Sequence, residues 1–248
     1  RRNAWFVIPD NDSSFLPTCS VSLSDTSSIT VNGSKKSCLA YFGKYVAGVS
    51  TIHAEIAADG AYGSTIKSYS GSYPGGSFST QSFDIPTSGL SGEFQINASV
   101  RDSRNIKNSA SATANIVAYS PPIVTALSVH RCVSETDGTE SDQGNYTQVK
   151  YGYAIYNIAS TTGNNNAKSV VLKYKKSSES NWTIKNLTAS AYTGSGSVII
   201  ETLSDFSYDI LITVSDSITS SSKSTSVSTG YCIYHIPASG KGITFGGI

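Results

Sequence analysis

Apolar and polar residues alternate with a period of two along most of the chain, and twice that alternation runs into the same turn. The first half carries Ile96-Asn97-Ala98-Ser99-Val100-Arg101-Asp102-Ser103 and the second carries Ile210-Leu211-Ile212-Thr213-Val214-Ser215-Asp216-Ser217. Each copy is followed by a Ser/Thr-rich run that alternates again, Ala110 to Val117 and Ser224 to Tyr231, so each reads as a hairpin closing a small all-β domain. Two β-sandwiches in tandem are expected, with almost no helix, because no segment sustains an i, i+3, i+4 pattern between caps.

The remaining strands fall between turn signals. Cys19, Val21 and Leu23 alternate with serines, Val46 to Ile56 reads as one longer alternation, and Ile66-Lys67-Ser68-Tyr69 ends a further strand. After the Ser72-Tyr73-Pro74-Gly75-Gly76 loop, Ser77 to Ile85 reads as a single strand before Gly92 to Val100. The second half repeats the plan with Ile123 to Cys132, Thr147 to Ile158, Ser169 to Lys175, Trp182 to Leu187 and Ser197 to Thr202. In the repeat, Ile66-Lys67-Ser68-Tyr69 falls opposite Val171-Leu172-Lys173-Tyr174, and Gly43-Lys44-Tyr45-Val46 opposite Gly144-Asn145-Tyr146-Thr147. The expected organisation is a leading segment over 1–16, a first sandwich over 17–119, a second over 120–237 and a Gly-rich exit over 238–248. Pro121 and Pro122 cannot donate to a ladder, and they make the joint a short stiff hinge.

Composition narrows the function. Charged residues are 14% of 248 and the net charge is +1, which supplies no field for nucleic acid or an anionic membrane. No apolar run approaches the roughly 18 residues of a membrane span, so insertion is not expected. The absence of methionine marks the chain as part of a longer polypeptide. Cys19, Cys38, Cys132 and Cys232 show no metal spacing and read as partly buried thiols; Cys132 and Cys232 lie on the first and last strands of the second sandwich, where a bridge is geometrically open.

No constellation of catalytic residues is legible, and no cofactor or metal is expected. His53, His130 and His235 are scattered without ligand spacing, and the serines form neither GxSxG nor SxxK, so an Asp-His-Ser set would have to assemble from remote strands. The acidic stretch Asp137 to Gly144 lacks the closing glutamate of a calcium loop and reads as a hairpin loop using Asp-Gly turn chemistry. Gly240-Lys241-Gly242 lacks the order of a phosphate cradle. The six Asn-x-Ser/Thr triplets arise by chance in so Ser/Thr-rich a chain. Aromatic residues remain, because a ring with a polar handle can stack on a sugar. Tyr62, Tyr69 and Tyr73, expected around one loop of the first sandwich, and Trp182 are the candidates for ligand contact.

The second-half opening, from Ser120-Pro121-Pro122-Ile123 through His130-Arg131-Cys132 and Asp137-Gly138-Thr139 to Gly144-Asn145-Tyr146, resembles a signature of siphovirus tail minor structural proteins of phages and prophages of Gram-positive bacteria. Tyr41 to Gly48, Gly60 to Tyr69 and Gly240 to Gly246 extend the likeness over nearly the whole chain. The resemblance implies Ig-like or fibronectin-III-like modules in the virion, at a tail tip, baseplate or fibre. It further implies other tail proteins as partners, a homo-oligomer, a host cell-surface glycan as external target, and no catalytic residues. The family's Asp-Ser-Arg-Gly hairpin stands here as Asp102-Ser103-Arg104-Asn105 and Asp216-Ser217-Ile218-Thr219, without its glycine. The expected function is a non-enzymatic spacer and host-adhesion scaffold. The rivals are a carbohydrate-binding receptor module, a bacterial surface adhesin repeat and a wall-degrading enzyme.

Overall fold

A computed structural model describes residues 13–230 and, as backbone strands only, Tyr234–His235 and Thr244–Phe245. It is nearly all β, 54% strand and 4% helix, as the alternation predicts. Most of the leading segment, the glycines of the exit segment, and Cys232 with its candidate bridge to Cys132 lie outside the described residues. Two compact units divide the chain. The first runs to Tyr119 and also takes in Ile158–Asn165, and the second holds Ser120–Asn157 and the described chain from Asn166 onward.

The first unit contains β1 (Ser20–Asp25), β2 (Ile29–Val31), β3 (Ser34–Lys36), a short helix α1 (Cys38–Phe42), β4 (Tyr45–Val46), β5 (Thr51–Ala57), β6 (Ile66–Tyr73), β7 (Gly76–Phe78), β8 (Ser82–Pro86), β9 (Gly92–Asp102) and β10 (Lys107–Val117). One sheet has the order β1-β5-β8 and the other β4-β10-β9-β6-β7. Their inward residues meet in one core, where Ile52 and Ile85 from the first sheet pack on Ile96, Ala114 and Ile116 from the second, with Tyr45. Burial pushes the Tyr45 phenol up to about 12, helped by the negative charge of Asp25.

The second unit contains β11 (Ile123–Cys132), β12 (Tyr146–Ala154), β13 (Ser169–Lys176), β14 (Thr183–Leu187), β15 (Thr193–Glu201), β16 (Tyr208–Ser215) and β17 (Ser220–Val227), followed by β18 (Tyr234–His235) paired with β19 (Thr244–Phe245). Its sheets are β11-β12-β15 and β14-β13-β16-β17, closed over Val149, Tyr151, Tyr153, Leu172, Ile210 and Ile212. Glycine is required at two positions of β15, since a Cβ on Gly194 or Gly196 would stand 2.9 or 2.7 Å from the phenol oxygen of Tyr153 or Tyr151. Strand for strand the two units share one wiring: β1-β5-β8 matches β11-β12-β15, and β7-β6-β9-β10 matches β14-β13-β16-β17.

Four sequence expectations change. The run from Val46 to Ile56 is two strands, because the chain turns at Gly48 (φ 72°); Ser50 Oγ accepts from Val46 N–H at 2.9 Å, and Thr87 Oγ1 donates to the Val46 and Ser50 carbonyls at 3.0 and 2.6 Å. Tyr45–Val46 pairs in parallel with Ile116–Val117, so it matches no strand of the second unit, and the counterpart of β12 is β5. Ser77 to Ile85 also divides, β7 pairing in one sheet and β8 in the other. Ile158–Asn165, read within the second sandwich, belongs to the first unit. There the Thr161 N–H and Ser160 hydroxyl donate to the Phe42 carbonyl at 2.9 and 3.0 Å, and Thr162 and Asn164 donate to that of Tyr41 at 2.5 and 2.9 Å. These are orphan carbonyls at the end of α1, whose C-cap Gly43 (φ 73°) leaves room for Thr161.

The repeated Asp-Ser is a knot in both units. Asp102 is fully buried at the end of β9 and accepts from the Arg104 and Ile106 N–H groups (both 2.9 Å), the Arg104 guanidinium (2.6 and 2.8 Å) and the Ser64 hydroxyl (3.0 Å). Asn105 stands at φ 74°, in the left-handed region that asparagine tolerates. Asp216 accepts from the Ile218 and Thr219 N–H groups at 2.7 and 2.8 Å and from the Asn166 amide at 3.2 Å. Burial alone would raise the Asp102 carboxyl, but bonds from Ile106, Arg104 and Ser64 leave it below the usual range.

Arg131 holds one end of the second unit. Only 5% exposed, it donates from Nε to Ser228 O (2.8 Å), from Nη1 to Gly144 O (3.0 Å) and Thr202 O (2.7 Å), and from Nη2 to Phe206 O (2.7 Å). Burial pulls the guanidinium below its usual range, opposed by Tyr208. A single planar fork thus satisfies four carbonyls from three separate stretches of chain, which a lysine cannot do.

Arg131→Met is expected to cost about 3 kcal/mol or more, since four carbonyls, those of Gly144 and Thr202 in buried bonds, lose a charged donor. Native-state hydrogen exchange should show protection falling in β12 and β16 while β5 and β9 keep theirs. Because Asp102 titrates lower folded than unfolded, its contribution is complete above the unfolded value and disappears as pH falls through the folded one. The urea midpoint should therefore drop below about pH 4, and Asp102→Asn should lower stability at neutral pH and shrink that acid loss.

Candidate functional site

Strand β13 turns Val170, Leu172 and Tyr174 toward the core, which leaves Lys173 and Lys175 on the opposite face. Its neighbour β14 is an edge strand exposed over Thr183–Asn186, with Ile184 60% exposed and the preceding Trp182 38% exposed. At this corner of the second unit a cleft of about 330 Å³ opens between Tyr174, Asn181, Thr183, Glu201, Leu203 and Tyr208. That volume is at the small end of ligand pockets. It brings ring faces, an amide, a hydroxyl and a carboxylate together in one concave place.

The cations of the cleft are already engaged. Lys175 Nζ lies 3.1 Å from Asp209 and donates to the Glu179 carbonyl at 2.7 Å, while Lys176 pairs with the Glu179 carboxylate at 3.3 Å. Both ammonium groups also sit over rings, Lys175 at 5.3 Å from the Trp182 centroid and Lys176 at 4.2 Å from that of Phe206. The Ser177 hydroxyl, donating at 2.8 Å, and then Lys175 hold the Asp209 carboxyl below its usual range. Burial, followed by the negative charge of Glu201, raises the Tyr174 phenol, so it stays a neutral donor. No His, Cys or Ser lines the cleft.

Of the four aromatic candidates only Trp182 stands beside this cleft. Tyr62, 70% exposed, stacks on Phe15 at 5.1 Å in a turn where its φ is 51°. Tyr69 packs on the Ile56, Ala98 and Val100 cluster, and Tyr73 packs on the Ile52 and Ile85 cluster and stacks on Phe83 at 6.2 Å. The three tyrosines therefore have separate partners and make no shared platform. Tyr174, Tyr208 and Glu201 were missed because β13 and β16 pair in one sheet while β15 belongs to the other, so they meet only where the two sheets close on each other; the exposed position of Trp182 was the available signal.

Remote strands do bring an Asp to a His. Asp84 Oδ1 is 2.7 Å from His53 Nδ1, and the ladder register places Ser24, His53 and Asp84 in one cross-strand row. The row lies on the outward sheet face, no hydrogen bond joins Ser24 to the imidazole, and ladder pairing occupies the surrounding backbone. It therefore lacks the nucleophile contact and the oxyanion donors of a hydrolase.

In the acidic loop, Asp137 accepts from the Thr139 N–H at 2.9 Å and the Ser134 hydroxyl accepts from the Asp137 N–H at 3.0 Å. His130 contacts the Gly138 carbonyl at 3.0 Å. Among the described residues no group of three His, Cys, Asp or Glu is placed to hold a metal ion. Burial raises the thiols of Cys19, Cys38 and Cys132, which makes them poor nucleophiles.

No protein-family model and no curated protein sequence matches the chain. Among solved structures it is similar to a 1.5-MDa bacterial ice-binding adhesin (14% identity, TM-score 0.40, covering 85% of this chain and 63% of that one). It is also similar to a Ca2+-stabilized ice-binding adhesin of an Antarctic bacterium (16% identity, TM-score 0.39, 84% and 48%). A third similarity is to carbohydrate-binding modules of the β-sandwich superfamily (9% identity, TM-score 0.32, 87% and 97%). The chain spans less than two thirds of the length of either adhesin structure. At these TM-scores the likenesses carry no argument about function.

Trp182→Ala should change the urea midpoint by the equivalent of less than about 1 kcal/mol, because its ring is partly exposed and only Lys175 lies over it. Tyr208→Ala, which opens the core behind the same cleft, should cost about 3 kcal/mol.

Proposed function

We propose that the chain is a non-enzymatic adhesion and spacer scaffold whose second unit contacts a cell-surface glycan through the cleft lined by Tyr174, Asn181, Thr183 and Glu201. The cleft itself is the observation that carries this reading. Aromatic rings offer apolar faces for a sugar ring, while Asn181, Thr183 and Glu201 offer directional bonds to its hydroxyls. Of the two carboxylates lining it, that of Glu179 is paired with Lys176, which favours retention of a glycan over its cleavage by a carboxylate pair. Two sandwiches of one wiring, each with its own core, suit a stiff spacer.

The setting we propose is a bacteriophage tail, in copies that multiply weak contacts into avidity. Its support is the sequence resemblance, carried by the Ser120 to Tyr146 signature and the paired Asp-Ser hairpins, with each unit read as an Ig-like or fibronectin-III-like module. A bacterial surface adhesin repeat would share the cleft and differ in its genetic neighbours.

On an array of bacterial surface saccharides the chain should retain a subset, and Asn181→Ala, which removes a lining amide, should lower retention about tenfold. Flat binding across the array would sink the glycan reading. Immunogold labelling of phage particles should decorate the tail, and label confined to the capsid, or absent from particles, would sink the tail placement.

A further inference from the structure

We infer that the cleft selects uncharged saccharides over those bearing phosphate or carboxylate, with Glu201 as the residue that sets this preference. The inference rests on the glycan reading above and adds the class of sugar. Both lysines of the cleft are spent within the protein, Lys175 on Asp209 and the Glu179 carbonyl, Lys176 on the Glu179 carboxylate. Their ammonium groups also lie over Trp182 and Phe206, so drawing either one onto a ligand anion would break an ion pair and a ring contact together. Glu201 lines the same cleft, is exposed, and makes no ion pair among the described residues.

Two lysines therefore stand against the three carboxylates of Glu179, Asp209 and Glu201, and the one carboxylate not neutralised is a lining group. A carboxylate only accepts hydrogen bonds, so it suits a pair of sugar hydroxyls, which donate, and repels the charged group of a phosphodiester or uronate, which cannot donate to it. Tyr174 completes the match. Its phenol, kept protonated by burial, can donate to a ring or hydroxyl oxygen.

The test is the same saccharide array, read with wild type, Glu201→Gln and Glu201→Asp, all checked for native circular dichroism. Uncharged oligosaccharides should be retained and anionic polymers should not. Retention should weaken about tenfold in Glu201→Gln, where a charged acceptor is replaced by a neutral amide, and recover in part in Glu201→Asp. Because no ion pair forms with the ligand, affinity should change less than about twofold between low and high salt. Preferential retention of phosphate- or carboxylate-bearing glycans, or full retention by Glu201→Gln, would overturn this inference and leave the glycan reading intact. No retention of any saccharide would overturn both.

Discussion

Each sandwich is closed at one end by an aspartate whose carboxylate is spent entirely on the chain around it. A strand that alternates in and out delivers every second residue to the core, and Asp102 stands at the last inward position of β9, where an unpaired charge would be costly. The cost is met by turning the hairpin so that its own N–H groups face the carboxylate. Arg104 then reaches from Asp102 to the Phe15 carbonyl, 2.8 Å away, so the knot also anchors the approach to the first strand. In the second unit the same aspartate meets a neutral partner, Asn166, which also donates to the Tyr156 carbonyl at 2.8 Å and accepts from Ser217 N–H at 3.0 Å. The repeat conserves the acceptor and changes the donor.

Arg131 links packing to the cleft. Two of its four acceptors, the carbonyls of Thr202 and Phe206, bracket the loop that carries Leu203 into the cleft wall and sets the Phe206 ring beneath Lys176. A buried fork with fixed geometry thereby holds an exposed wall still. Weak contacts to a sugar gain most when the protein groups are already in place before the ligand arrives.

Period-two alternation reveals the sandwiches because it reports directly which face of a strand is buried; Ile52, Ala54 and Ile56 on β5 and Ile210, Ile212 and Val214 on β16 are each legible that way. It could not place the break between β7 and β8, where no proline or glycine marks the crossing between sheets, nor the turn at Gly48, which depends on Ser50 and on the distant Thr87. Trp182 was visible as an exposed aromatic. Its companions Tyr174, Glu201 and Tyr208 were not, since they come from three strands in two sheets, and nothing along the chain says which ends of which strands share a corner. The pairing of His53 with Asp84 escaped notice for the same reason.

The short loop Ile158–Asn165 imposes an order on synthesis. The carbonyls that end α1 are written early in the chain, yet the groups that satisfy them arrive more than a hundred residues later. A nascent chain that has delivered everything up to Tyr119 still lacks part of its first unit, and waits with that helix end bare until β11 and β12 have also left the ribosome. Cutting the gene between the two repeats would therefore not yield two complete halves.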